Sequence, residues 1–301
     1  MLSYILRGRD RGATPITEPF TLVDAAVSPL DGSGWALGPS LDDDGTIHLF
    51  HQLADGTIVD VLDVFAYQAG DPDPVDRDVP PNPIEANPYG LTVMDDGDAL
   101  VADAAGNDII RVTPEGEAST VAHLDVRTVA TDHLPPESPV PPVLEAEAVP
   151  TTVTVGPDVA IYGGELKSFP FRPGSSNIWR IEPDATGAWC SVEVPDPTGQ
   201  CSLFSSGYTA IQDIAFDDRT GKLYVDELAA AGVLAFEAGM DPEGPGFPPA
   251  VLLEVSRRRV ERRVELAAGE LSQPGGIVVV RGEVYVTDGV FTNGRLLRVD
   301  G

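Results

Sequence analysis

A chain of 301 residues with 42% hydrophobic content is long enough for one large all-β domain or two ordinary ones, and apolar enough for a real core. Its 48 acids against 19 bases give a formal charge of −29, a field that repels nucleic acid and anionic membrane surfaces while favouring solubility or cation binding. No apolar run approaches the roughly 18 residues of a membrane span, and 31 glycines and 28 prolines spread along the chain fit many short strands joined by turns.

In chain order, the start MLSYILRGRDRGATP has too short an apolar stretch and no small-residue cleavage site for a signal peptide. FTLVDAAV (20–27) reads as a strand, either the first of a blade or one that closes a ring, and the rest of 1–42 is poorly defined. IHLFHQL (47–53) and GTIVDVLDVF (56–65) read as a third and fourth strand joined at Ala54-Asp55-Gly56, so 43–86 is a partial blade with its connector. DDDGTIHLF (42–50) has acids and a glycine but lacks the later carboxylate of an EF-hand loop.

From residue 87 onward the chain repeats. NPYGLTVMDDGDALVADA (87–104), VPTTVTVGPDVAIYGGEL (149–166), AIQDIAFDDRTGKLYVDEL (210–228) and QPGGIVVVRGEVYVTDG (273–289) share one pattern. Each has a small or proline-containing entry, an apolar strand, a D/G turn and a second strand running into an acid or its neighbour. The equivalent first-strand positions Leu91, Val153, Ile214 and Ile277 are spaced by 62, 61 and 63 residues. Third strands follow at DIIRV (108–112), NIWRI (177–181), AVLLEV (250–255) and RLLRV (295–299). Fourth strands follow at ASTVAHL (118–124), CSLFS (201–205) and VERRVELA (260–267), and no stretch shows a convincing helical period.

Four antiparallel strands per repeat predict an all-β fold, a β-propeller in which 1–301 is a single domain. Its blades are 87–148, 149–209, 210–272 and a last blade 273–301, so four are clear and a fifth is partial. Within this frame Cys190 and Cys201 flank Pro195–Gly199. If 190–194 and 200–204 pair as a hairpin, the two thiols oppose one another and form a disulfide, which implies an oxidising compartment. RRRVERR (257–263) is the one basic cluster, and it reads as offsetting nearby acids rather than binding phosphate. The proline-rich connector 135–143 reads as extended chain between blades.

Chemistry on a propeller belongs where inner-strand ends and their loops meet the central channel. The residues placed there are Asn87, Asp103, Asn107, Glu165, Asp213, Asp226, Glu227 and Asp288. A ring of carboxylates and amides is a candidate Ca²⁺ site, with Glu165, Asp213 and Asp288 as ligands; the competing role for such acids is to cap turns. Ser168, Phe169 and Phe171, in GGELKSFPF (163–171), join the ligand-binding candidates. The two rings either plug a gap to the next blade or wall a ligand site beside Glu165. No G-x-S-x-G elbow occurs, and none of His48, His51, His123 and His133 falls on an inner strand, so no catalytic residue is assigned.

At NPYGL (87–91), ADAAGNDIIRV (102–112), EAVPTTVTVGPDVAIYGGELKSFPF (147–171) and QPGGIVV (273–279) the chain resembles the ScyD/ScyE family, bacterial β-propellers related to proteins encoded with the scytonemin genes. The likeness runs from about Gly38 to the C-terminus, with Lys167 and Ser168 replacing the usual small polar pair of a GELTGFPF-like motif. It implies a six-bladed architecture whose N-terminal part is missing or diverged here. It also implies an extracellular or periplasmic protein that binds a small molecule, glycan or protein across one face. The family brings no shared reaction. The alternative is a Ca²⁺-dependent propeller enzyme of gluconolactonase-like or lyase-like type.

Overall fold

The computed structural model describes residues 4–6, 13–15, 22–42, 45–241 and 243–299. A short hairpin, β1 (Tyr4–Leu6) and β2 (Ala13–Pro15), precedes the main body. Five antiparallel sheets follow. The first contains β3 (Asp24–Val27), β4 (Gly34–Pro39), β5 (Ile47–Gln52) and β6 (Ile58–Asp63), and leads into helix α1 (Val64–Gly70). The second contains β7 (Pro88–Val93), β8 (Ala99–Asp103), β9 (Asp108–Val112) and β10 (Ala118–Leu124). A small ribbon, β11 (Arg127–Ala130) with β12 (Val143–Ala146), separates it from the next blade.

The third sheet is β13 (Pro150–Val155), β14 (Ile161–Glu165), β15 (Ser176–Ile181) and β17 (Cys201–Tyr208); β16 (Ala188–Cys190) lies between the last two in sequence. The fourth is β18 (Ile211–Asp217), β19 (Lys222–Glu227), β20 (Val251–Ser256) and β21 (Arg259–Leu266), with helix α2 (Val233–Gly239) inserted before β20. The fifth has three strands, β22 (Gly276–Val280), β23 (Glu283–Asp288) and β24 (Arg295–Val299). This is a five-bladed propeller.

Strand formation follows the apolar patterning. β8 and β14 are buried along their whole length, because each is the middle of a sheet covered on both faces, and their sequences ALVAD and IYGGE carry no outward polar position. Edge strand β21 (RVERRVEL) instead carries five charged residues and is largely exposed. Gly97 (φ +95°) and Gly221 (φ +70°) turn the chain between first and second strands, where a left-handed residue lets the hairpin close.

The core is divided among the junctions of neighbouring sheets. Trp35, Leu37 and Leu49 pack on Val101 and Ile110 between sheets one and two. Leu100 and Ile109 meet Val153, Ile161 and Trp179 between two and three. Tyr162 and Ile178 meet Ile214, Phe216 and Leu223 between three and four, and Tyr224 and Leu252 meet Val284 and Val286 between four and five. Among the described residues no such cluster joins sheet five to sheet one. A cavity of about 480 Å³ lies at that seam, bounded by Val23–Ala25 on one side and Tyr285 and Leu296 on the other.

The structure revises several expectations from sequence. The partial blade 43–86 is a complete sheet that begins at Asp24, since GWALGP is its second strand, and FTLVDAAV supplies its innermost strand rather than a closing one. Residues 64–65, read as strand, begin α1, whose first turn is capped by Asp63 accepting from the Ala66 N–H at 3.0 Å. The cysteines do form a disulfide, but not across a hairpin. β16 adds in parallel to β10 of the second sheet while Cys201 opens β17 of the third, so the bond ties two blades together.

Candidate functional site

The five inner strands β3, β7, β13, β18 and β22 line the central channel around a cavity of about 490 Å³. Aligned on the equivalent positions Ala25, Leu91, Val153, Ile214 and Ile277, they place Asp24, Gly90, Thr152, Asp213 and Gly276 at one level. Side chains at this level reach the backbone of the next blade. Asp24 accepts from the Leu91 N–H at 2.8 Å, Thr152 Oγ1 from Ile214 N–H at 3.3 Å, and Asp213 from Ile277 N–H at 2.7 Å. Gly90 has no side chain because a Cβ there would meet Thr151 O and Thr152 Cα at 2.7 Å. Asp24 also accepts from Ala25 N–H, and Asp213 from Thr152 Oγ1 at 2.6 Å and Ile214 N–H at 2.8 Å.

One residue nearer the mouth stand Tyr89, Thr151, Gln212 and Gly275, which border the seam cavity. Gln212 Nε2 donates to Tyr89 Oη across the channel at 2.7 Å, so the tyrosine keeps its own proton to donate. Val290, Phe291 and Leu296 give the same cavity an apolar wall. Burial pushes the Asp24 carboxyl up to about 7, the Asp213 charge adds to that, and the Ala25 and Leu91 N–H groups oppose it. Asp213 is raised by burial against the pull of Thr152, Ile277 and Ile214. Two carboxylates with a phenol opposite can accept a ligand's hydroxyl or ammonium protons. One of them also exchanges a proton near neutral pH.

Of the residues expected at the channel from sequence, only Asp213 lines it. The others are placed by the loops at the far ends of the second strands. Asp103 accepts from the N–H groups of Asn87, Ala105 and Gly106, and from Gln68 Nε2. Glu227 accepts from Thr209 N–H at 2.7 Å, and Asp288 from Ser272 N–H at 2.8 Å and from Arg295. These three share one job: the acid ending a blade's second strand holds the chain that enters the same blade's first strand. Asn107 joins Asp73 to the Val149 N–H, and Ser168 Oγ accepts from Glu147 N–H. Glu165 is fully buried under Trp179 Nε1 at 2.5 Å, with Arg127 at 3.5 Å and the buried Lys167 at 3.9 Å.

Glu165, Asp213 and Asp288 do not converge as metal ligands: among the described residues their oxygens do not come together as a group of three. Among the described residues, the acids whose oxygens approach within 4.8 Å of one another as a group of three are Asp76, Asp78 and Glu147. None of these lines either channel cavity. Phe171 packs with Leu228, Val233 and Phe236 of the fourth blade's loop, the gap-plugging role, while Phe169 stands edge-on to it at 6.0 Å and is exposed.

Sequence reading missed Asp24, Tyr89, Thr151, Thr152 and Gln212. The signal was available at Asp24: aligning VDAAV with QDIAF puts Asp24 on Asp213.

No family profile and no curated protein sequence matches the chain. Solved structures do resemble it. An oxidoreductase (glucose dehydrogenase) from Thermus thermophilus is 17% identical with a TM-score of 0.57, over 97% of this chain and 89% of that one. The PQQ-bound aldose sugar dehydrogenase of Streptomyces coelicolor is 13% identical with a TM-score of 0.52, over 92% and 78%. A catalytically inactive virginiamycin B lyase from Staphylococcus aureus with quinupristin is 15% identical with a TM-score of 0.50, over 96% and 74%. At these identities the likeness establishes the propeller architecture and no chemistry.

Proposed function

We propose that this chain is an extracytoplasmic propeller of the ScyD/ScyE type that binds a small, hydroxyl-rich, neutral or cationic ligand at the mouth of its channel. The observation that carries the reading is the pairing of Asp24 and Asp213, acceptors for ligand protons, with an apolar wall at Val290, Phe291 and Leu296 around one cavity of about 480 Å³. A formal charge of −29 disfavours an anionic occupant of an acid-lined channel. The Cys190–Cys201 disulfide supports a location outside the cytoplasm, where such bonds persist.

Calorimetric titration of neutral mono- and disaccharides tests this. Binding by at least one sugar, measured well below the melting temperature of each protein, should weaken about tenfold or more in Asp24→Asn, the loss of a charge-assisted hydrogen bond. If no sugar binds, or if Asp24→Asn binds as well as the parent, the reading fails.

A second reading, a propeller enzyme of gluconolactonase-like or lyase-like type, is favoured by one observation: Asp24 sits at about 7 and could serve as a general base. Lactone hydrolysis above the spontaneous rate, rising as pH passes through about 7 and lost in Asp24→Asn, would support it. A Ca²⁺-dependent version draws no support from Glu165, Asp213 and Asp288. Ca²⁺ held by Asp76, Asp78 and Glu147 would brace the connectors rather than act on a channel ligand.

A further inference from the structure

A cavity larger than either channel cavity lies elsewhere, at the turn end of the third and fourth sheets. It measures about 790 Å³ and takes in Asp158 from the β13–β14 turn, Gly221 from the β18–β19 turn, and Arg257 and Arg258 from the β20–β21 turn. Glu165 and Glu227 close β14 and β19 at the opposite end of the same sheets. This groove is therefore separate from the acid-capped loops.

Its charge runs against that of the chain. Arg180, Lys222, Arg257, Arg258 and Arg262 line it, five of the nineteen lysines and arginines in the protein. Glu182, outside the lining, pairs with Arg180 at 2.6 Å, and the lining acids are Asp158 and Glu254, so five positive charges less three negative leave +2 in a chain of −29. Both lining acids are already engaged. Asp158 is shared by Arg180 at 3.1 Å and Arg257 at 2.6 Å, and Glu254 is held by Lys222 at 2.9 Å. Burial works to raise the Asp158 carboxyl, but these two arginines outweigh it and hold it below its usual range.

Arg258 and Arg262 are exposed and make no ion pair among the described residues. The adjacent Arg263 is used differently. It donates to the Ser206 and Gly207 carbonyls and lies 3.8 Å over the Tyr208 ring, fastening β21 to the third sheet. The basic run thus divides: Arg257 is paired with Asp158, Arg263 is structural, Arg259 lies outside the groove, and Arg258 and Arg262 line the groove with no ion pair of their own among the described residues. In a chain with 48 acids, that is a deficit of local counter-charge. The floor adds Phe204, edge-on to Tyr162 at 5.0 Å, and the exposed Val264.

We propose that this groove binds a small polyanion carrying two or more phosphate or sulfate groups, with Arg258 and Arg262 forking onto its oxygens. Planar guanidinium groups suit bidentate contact with such oxygens. Smallness follows from the field: a polymeric anion meets the repulsion of the whole acidic surface, whereas a compact one meets chiefly the groove's own net positive charge where the Debye length is about 10 Å.

Titration calorimetry at about 0.1 M ionic strength, with pyrophosphate and sucrose octasulfate as probes, tests the proposal. At least one probe should bind. Affinity should fall about tenfold or more in the double variant Arg258→Gln/Arg262→Gln, and should weaken as salt is raised. Both residues are exposed and unpaired, so melting should not change. Arg77→Gln, on an unrelated surface pair with Glu145, and Asp24→Asn should both bind like the parent. Binding of pyrophosphate alone identifies a phosphate ligand, and binding of octasulfate alone a sulfated one. The proposal is overturned if neither probe binds or if the double variant binds as tightly as the parent. Either result leaves the channel reading untouched.

Discussion

Asp226 has a fully buried carboxyl, and neither oxygen accepts a hydrogen bond from a described residue. Burial raises it well above the usual carboxylate range, and the charges of Asp213, Asp288 and Glu227 push the same way. Glu227 is likewise pushed up to about 7, chiefly by burial, and Asp24 stands there too. A raised acid binds a proton in the folded state that the unfolded chain releases above about pH 4, so its contribution falls as pH rises towards the folded value. The protein should therefore melt higher at pH 5.5 than at pH 8. Asp226→Asn should raise the melting temperature at pH 8 by more than at pH 5.5. An equal or opposite change at the two pH values would show that Asp226 is not a buried acid under strain of charge.

At the scale of elements, β16 belongs by pairing to the second sheet and by covalent bond to the third. Its sequence AWC is too short to hold a register alone, so it relies on β10 and on the bond to Cys201. The disulfide spans 11 residues of chain, a loop for which restricting the unfolded state stabilises by about 2–3 kcal/mol. Reduction, or replacement of both cysteines by alanine, should lower stability by about that amount in denaturant titration. The loss should appear first as faster amide exchange along Ala188–Cys190 and the outer part of β10. If exchange there is unaltered, β16 is held by strand pairing alone. The same loop explains why hairpin logic failed: the residues between the cysteines serve two different sheets, and local spacing carries no record of that.

At the scale of the molecule, five sheets share four apolar junctions among the described residues, and a cavity lies at the fifth. Sheet five has three strands where each of the others has at least four, and β24 has a strand partner on one side only among the described residues. Val278, Val280 and Leu296 are about half exposed there. Local opening costs least where few apolar contacts are lost. Hydrogen exchange should therefore run faster in Glu283–Asp288 and Arg295–Val299 than in Ala99–Asp103 and Asp108–Val112. Equal protection of the two sheets would mean that the seam is covered as tightly as the other junctions.

The sequence by itself determined the propeller class but not the five blades, since the resemblance implied six. A repeat of 61 to 63 residues with period-two apolar strands admits a ring of similar blades, and DIIRV and RLLRV are strands over the same residues expected from sequence. It determined the disulfide partners too, since the chain has two cysteines. Tertiary structure alone decided what each acid does. Asp103, Glu227 and Asp288 occupy the same place in the repeat as a channel ligand would, yet their oxygens meet loop N–H groups, whereas Asp24 and Asp213, one strand inward, meet the channel. Alternation along a strand says which residues share a face. Whether that face looks onto a loop, a neighbouring blade or the central channel depends on how the sheets stand around the axis, and that arrangement is written in contacts between residues more than sixty positions apart.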